Sequence, residues 1–183
     1  SNAVRGQYEG YLEEPNVKAN SKTETYFRII TSLNNKRWKG VPLILESGKG
    51  LKKDLVEVQV IFRHPIPCLC PEANNLKHYK NVLYYTIQPD EGVRLKFWVK
   101  KPGTKMQIEE KDFVFDYKQA FEGEKFQDAY EKLLLNIIQG DQTLFVSTEE
   151  IMAGWKFVDS ILRGWEKTNA PLVVYPKGAS VIP

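Results

Sequence analysis

Cysteine, histidine and long apolar runs are all scarce in this sequence, and each scarcity closes off a class of protein. Only two cysteines occur, Cys68 and Cys70, and no second Cys or His pair stands at the spacing that completes a zinc site, so no metal is expected. They read as free thiols in a reducing compartment. The two histidines, His64 and His78, share the same irregular stretch and read as ordinary loop residues rather than as a base or a ligand. No apolar run approaches the ~20 residues of a membrane span, and no basic-then-apolar segment opens the chain as a secretory leader does. A cytoplasmic protein without membrane association is the expectation. An excess of one charge is also missing. The 26 basic and 23 acidic residues are interspersed and leave a net charge of +3, so nucleic acid, which selects a clustered basic face, is not an expected partner. There is no P-loop, no Gly-x-Gly-x-x-Gly, no His-Glu-x-x-His, and no Ser or Cys in a nucleophile motif.

What is present is ordinary for a folded domain: 183 residues, 42% hydrophobic and 27% charged. That length suits one sizeable domain and is short for two. Ser1-Asn2-Ala3 reads as the scar of a cleaved expression tag, which puts the expected domain at residues 4–183.

Short alternating stretches of β-branched and aromatic residues predict strands over Thr25–Thr31, Val56–Phe62, Val82–Gln88, Val93–Lys100 and Asp112–Tyr117. Pro89-Asp-Glu-Gly92 between two of these predicts an antiparallel hairpin. Trp38–Leu45 opens on a turn and ends in an apolar run, with Pro42 marking a strand start or an edge. His64–Lys80, rich in proline, predicts a loop. From Asp128 to Ile138 the apolar residues fall at helical spacing, and Gly140 supplies a stop. Ser147-Thr-Glu-Glu150 matches a capping box and predicts a second helix over Thr148–Glu166 that buries Ile151, Trp155, Val158, Ile161, Leu162 and Trp165. Strands followed by helices, without βαβ alternation, indicate an α+β domain with a large, mostly antiparallel sheet and the helices on one side of it. The uncovered side of that sheet is the expected oligomer interface.

Two features carry chemistry. In Glu46-Ser-Gly-Lys-Gly-Leu-Lys-Lys-Asp54 a strand runs into a lysine flanked by Gly48 and Gly50. Two readings are open: the glycines let backbone approach a ligand while Lys49 meets a phosphate oxygen or a sugar hydroxyl, or the segment is a solvated basic turn. Gln88, an amide at a strand end, can donate and accept toward a polyhydroxyl ligand.

Taken together the segments resemble the C-terminal domain of glucose-6-phosphate dehydrogenases, from Arg5 to about Pro176. The likeness is carried by Arg5-Gly-Gln-Tyr8, Ser21-Lys-Thr-Glu-Thr25, Arg37-Trp-Lys-Gly-Val-Pro42 running on to Ser47-Gly-Lys49, Ile87-Gln-Pro-Asp-Glu-Gly92 and Lys101-Pro-Gly103. Most specific are Asp128-Ala-Tyr-Glu-Lys-Leu-Leu135, Gly140-Asp-Gln-Thr-Leu-Phe-Val146, Ala153-Gly-Trp155 and Val158-Asp159.

The resemblance implies an enzyme of the oxidative pentose phosphate pathway that oxidises glucose 6-phosphate at carbon 1 to the lactone and passes the hydride to NADP, or in some members to NAD. It implies assembly as homodimers or tetramers through the large sheet. The family's Rossmann fingerprint, its catalytic histidine and the main NADP site belong to an N-terminal half whose motifs are not in this sequence. A chain without a held cofactor and a base is expected to be inactive by itself. The family's substrate-binding lysine maps onto Lys49 and its glutamine onto Gln88. Where the family carries a second basic residue, this chain has Asp54, whose carboxylate repels a phosphate; Lys53 is the candidate to replace it. Where some animal members hold a structural NADP with an arginine, this chain has Glu46, which argues against that dinucleotide here. Two other functions compete with the enzyme reading: a non-catalytic oligomerisation domain of a degenerate paralogue, and a stand-alone sugar-phosphate-binding module.

Overall fold

The computed structural model of the chain describes residues 2–63, 79–124 and 129–180; His64, Cys68, Cys70, His78 and Asp128 lie outside the described residues. In chain order the elements are β1 (Ala3–Tyr8), β2 (Tyr26–Ser32), β3 (Pro42–Gly48), β4 (Val56–Ile61), β5 (Val82–Gln88), β6 (Gly92–Lys100), β7 (Ile108–Asp116), α1 (Tyr117–Ala120), α2 (Ala129–Gln139), α3 (Thr148–Thr168) and β8 (Leu172–Tyr175). They form two compact units, one of Ser1–Lys53 with Gln127–Pro183 and the other of Asp54–Phe126. The α+β class and the mostly antiparallel pairing expected from the sequence are borne out, with the strands shared between two four-stranded sheets.

In the first unit the strand order is β3-β2-β1-β8. Pro42 opens β3 at the sheet edge, where a residue without an N–H costs no ladder bond. β1 pairs antiparallel with β2 and parallel with β8. Neither β1 nor β8 stands out in the sequence, because both are short and their pairing is long-range. Gly6 in β1 is there for closeness: a Cβ on it would lie 2.8 Å from the Val173 carbonyl oxygen. The core of this unit is aromatic. Tyr26 and Tyr175 are buried, with rings 5.8 Å apart and edge-on, and Tyr8, Leu51 and Val173 pack against them.

In the first unit α3 begins and α2 ends where the sequence predicts, while α3 runs two residues past Glu166 to Thr168. Ser147 caps α3 by accepting from the Glu150 amide while the Glu150 carboxylate accepts from the Ser147 amide. Gly140 ends α2 in the left-handed region at φ 68°. Arg5 ties α3 to the sheet: its Nε and Nη2 donate to the Ala170 carbonyl at 3.1 and 2.7 Å, and its guanidinium lies 5.8 Å from the Trp165 ring centre.

The stripe expected to be buried on α3 is not. Only Trp165 is buried, while Ile151, Trp155 and Val158 stay exposed. They line an open apolar groove of about 510 Å³ that is also lined by Phe27, Ile29 and Leu45 of the sheet. On α2 the apolar residues Tyr130, Leu134 and Ile138 are likewise exposed.

In the second unit the order is β4-β5-β6-β7, so each strand pairs with its neighbour in sequence. The hairpin predicted around Pro89-Asp-Glu-Gly92 is present, with Thr86 opposite Gly92. β7 begins earlier than its apolar alternation suggests, since the charged run Ile108-Glu-Glu-Lys-Asp112 also pairs with β6. Those charges meet opposite charges across the ladder: Lys96 with Glu110 at 3.2 Å and Arg94 with Asp112 at 3.7 Å.

Candidate functional site

β3 delivers the chain into the turn that carries Lys49, and the two flanking glycines have different structural reasons. A Cβ on Gly48 would lie 2.9 Å from the Tyr26 ring and 3.0 Å from Leu51. Gly50 sits at φ 62°, where any other L-residue is strained. The glycines therefore serve the packing and curvature of the turn itself. The backbone is fixed from both sides. The Lys49 amide donates to the Thr25 carbonyl at 2.7 Å, the Gly178 amide to the Gly50 carbonyl at 2.7 Å and the Lys52 amide to the Ala179 carbonyl at 3.0 Å, with Leu51 bridged to Ala179.

Beneath the turn lies a directed chain of hydrogen bonds. The Tyr8 amide donates to Thr25 Oγ1 at 3.0 Å, and the Thr25 and Tyr175 hydroxyls lie 2.8 Å apart; the other two neighbours of the Tyr175 hydroxyl are carbonyls that can only accept, which makes Thr25 the donor when the Tyr175 proton goes to them. The single Tyr175 proton is then shared between the Lys49 carbonyl at 2.8 Å and the Thr25 carbonyl at 3.0 Å. Tyr175 is fully buried, so each of these bonds replaces one that water would otherwise make.

The turn presents cations. Lys49, Lys52 and Lys53 are exposed, and among the described residues none of them has an ion-pair partner. Lys49 and Lys53 thus lie on one basic turn with Asp54 beside it. Gln88 is the last residue of β5 in the second unit, exposed and paired with Val56, and its peptide bond to Pro89 is cis.

Glu46 lies on β3, opposite Arg28. Its carboxylate accepts from the Tyr26 hydroxyl at 3.0 Å and faces Arg28 at 3.8 Å. Burial, reinforced by that bond to Glu46, pushes the Tyr26 phenol up to about 12. An anionic side chain already engaged in this way does not fit the phosphates of a dinucleotide. Among the described residues, no group of three or more His, Cys, Asp or Glu is arranged to hold a metal ion, and no helix is long and apolar enough to cross a membrane.

The residues that sequence reasoning missed are Tyr175 and its acceptors. Thr25 falls in a segment that carried the family likeness, but its partner lies 150 residues away. No local pattern in Pro171-Leu-Val-Val-Tyr175 signals that contact.

Fold and turn define an α+β domain on mostly antiparallel sheets, with a glycine-flanked lysine on a braced turn. The model of the family described as "Glucose-6-phosphate dehydrogenase, C-terminal domain" matches residues 1–181, and the chain belongs to that family. A Chlamydia pneumoniae protein named glucose-6-phosphate 1-dehydrogenase is 39% identical across 98% of this chain and 38% of its own length. One of the same name from Borreliella burgdorferi is 38% identical across 88% of this chain and 35% of its own. Among solved structures, "Glucose-6-phosphate dehydrogenase in complex with its substrate glucose-6-phosphate" matches with a TM-score of 0.86 and 28% identity, over 98% of this chain and 38% of that one. The Mycobacterium avium glucose-6-phosphate 1-dehydrogenase matches with a TM-score of 0.76 at 28% identity, over 97% of this chain and 36% of its own. The chain spans little more than a third of the length of these relatives.

Proposed function

We propose that this chain is the substrate-side part of a glucose-6-phosphate dehydrogenase, which oxidises glucose 6-phosphate to 6-phosphogluconolactone and reduces NADP. The observation that carries the reading is the family match along residues 1–181 combined with a lysine that stands on a fixed turn and has no ion-pair partner among the described residues. Residues 4–183 supply part of the sugar-phosphate pocket and an oligomerisation surface. NADP, the catalytic histidine and hydride transfer belong to the upstream half.

In this reading Lys49 places its ammonium on the phosphate. A phosphate monoester carries nearly two negative charges, and an exposed lysine with no competing carboxylate partner meets it without first breaking an ion pair. Lys53 reinforces the positive field from the same turn and offsets Asp54. Gln88 hydrogen-bonds a hydroxyl of the sugar. The full-length protein works in the cytoplasm as a homodimer or tetramer.

The test is reduction of NADP and of NAD on addition of glucose 6-phosphate, comparing this chain, the full-length protein and its Lys49→Ala variant. The expected result is no turnover by this chain, turnover by the full-length protein, and a KM for glucose 6-phosphate raised about 100-fold in the variant, the scale of a lost charge-assisted hydrogen bond. A folded full-length protein silent with either cofactor would point instead to a non-catalytic assembly domain.

A further inference from the structure

We propose that Tyr175 is a positioning residue for substrate: its buried hydroxyl fixes the backbone of the Lys49 turn and so aims the lysine at the phosphate monoester. The inference rests on the reading of Lys49 given above and goes beyond it, because Tyr175 touches no substrate and acts through a carbonyl.

Lys49 has a long flexible stem, and the entropy of ordering it is the main cost of using it as a ligand. That cost falls when the backbone from which the stem springs has a single conformation. Three constraints give it one. Gly50 is held at φ 62°, the Lys49 amide is bound to Thr25, and the Lys49 carbonyl takes the Tyr175 proton. The first two are local to the β2–β3 ladder. The third comes from β8, 126 residues further along the chain, and holds the peptide on the other side of the Lys49 Cα.

The hydrogen bonds run in one direction, from the Tyr8 amide through the Thr25 hydroxyl to the Tyr175 hydroxyl and on to Lys49. Carbonyls can only accept, so the phenol proton goes to the Thr25 and Lys49 carbonyls, with Lys49 the nearer of the two, and the Thr25 hydroxyl donates to the phenol oxygen. A phenylalanine keeps the ring contacts with Tyr26 and Tyr8 and removes the hydroxyl with its bonds to Thr25 and to Lys49. The packing argument and the positioning argument are separable for that reason.

The experiment is steady-state kinetics on the full-length protein with Tyr175→Phe, Lys49→Ala and the double variant, with thermal melting of each. Tyr175→Phe is expected to raise the KM for glucose 6-phosphate roughly three- to ten-fold, leaving kcat and the KM for the nicotinamide cofactor within two-fold. Added to Lys49→Ala, it is expected to raise that KM little further, since a residue acting through Lys49 has nothing to act on once the ammonium is gone. An unchanged KM in Tyr175→Phe, or an effect that multiplies in full on the Lys49→Ala background, overturns the positioning role while leaving Lys49 as a ligand. An unchanged KM in Lys49→Ala overturns the reading of Lys49 and this inference with it. If Tyr175→Phe does not fold, Tyr175→Met, which also lacks the hydroxyl and adapts its shape to the same space, takes its place with the same expected direction and the same grounds for rejection.

Discussion

The two sheets are held together by opposite strategies. The second is built of strands adjacent in sequence, and its outer ladder is laced by ion pairs such as Lys96–Glu110 and Arg94–Asp112 on a solvated surface. The first is closed by residues far apart in sequence: Arg5 with Ala170, and Tyr175 with Thr25 and Lys49, bonds that span 126 to 165 residues and reach buried partners. Exposed pairs are individually weak and screened by salt, whereas buried hydrogen bonds are costly to lose. The basic turn stands on the sheet with long-range closure. If Lys49 meets a phosphate as proposed, it does so from a scaffold whose bonds are costly to break.

The largest effect is expected where that closure is most crowded. Gly6→Ala sets a Cβ 2.8 Å from the Val173 carbonyl and forces β8 away from β1. It is expected to cost about 3 kcal/mol, read as faster hydrogen exchange at the amides of β1 and β8. Unchanged exchange there would mean that the long-range closure carries little of the stability. Arg5→Met is expected to come next, at about 2 kcal/mol, because it removes two charge-assisted bonds to Ala170 from a buried guanidinium while keeping much of the stem's packing. Loss of exchange protection at the C-terminal turn of α3 checks it.

The smallest effect is expected in the second sheet and depends on acid. Its bond to Lys111, with a further one to Lys101, holds Glu109 below the ordinary glutamate value of 4.5. A carboxylate lowered in the folded state stabilises it above the unfolded value, and that contribution disappears as the pH falls through the folded one. Protection of the β6–β7 amides is therefore expected to decline slightly below pH 4.5, and Glu109→Gln is expected to remove the decline. An acid loss as large as that of Gly6→Ala would break the contrast between the sheets.

Much of the second sheet was legible in the sequence because its information is local. Alternation marks β5 and β6, Pro89-Asp-Glu-Gly92 marks their turn, and only the charged start of β7 hides, since Glu109 and Glu110 read as solvated until Lys96 is seen across the ladder from Glu110 and Lys101 and Lys111 beside Glu109. α3 was legible from Ser147 and Glu150, but its burial was not. An apolar stripe reports which face seeks cover, and Ile151, Trp155 and Val158 lie over an open groove. At the candidate site the glycine-flanked lysine was visible as a pattern. What fixes it was not, because a tyrosine in a short apolar strand looks like ordinary core until the fold brings it under Thr25 and Lys49.

The parallel pairing of β8 with β1 also bears on inheritance. A premature stop codon shortly before Leu172 leaves every codon of the basic turn intact, yet the translated product lacks the strand whose tyrosine closes the Lys49 peptide. Such a product would lose at once the core partner of Tyr26 and the support of a turn encoded more than a hundred codons upstream.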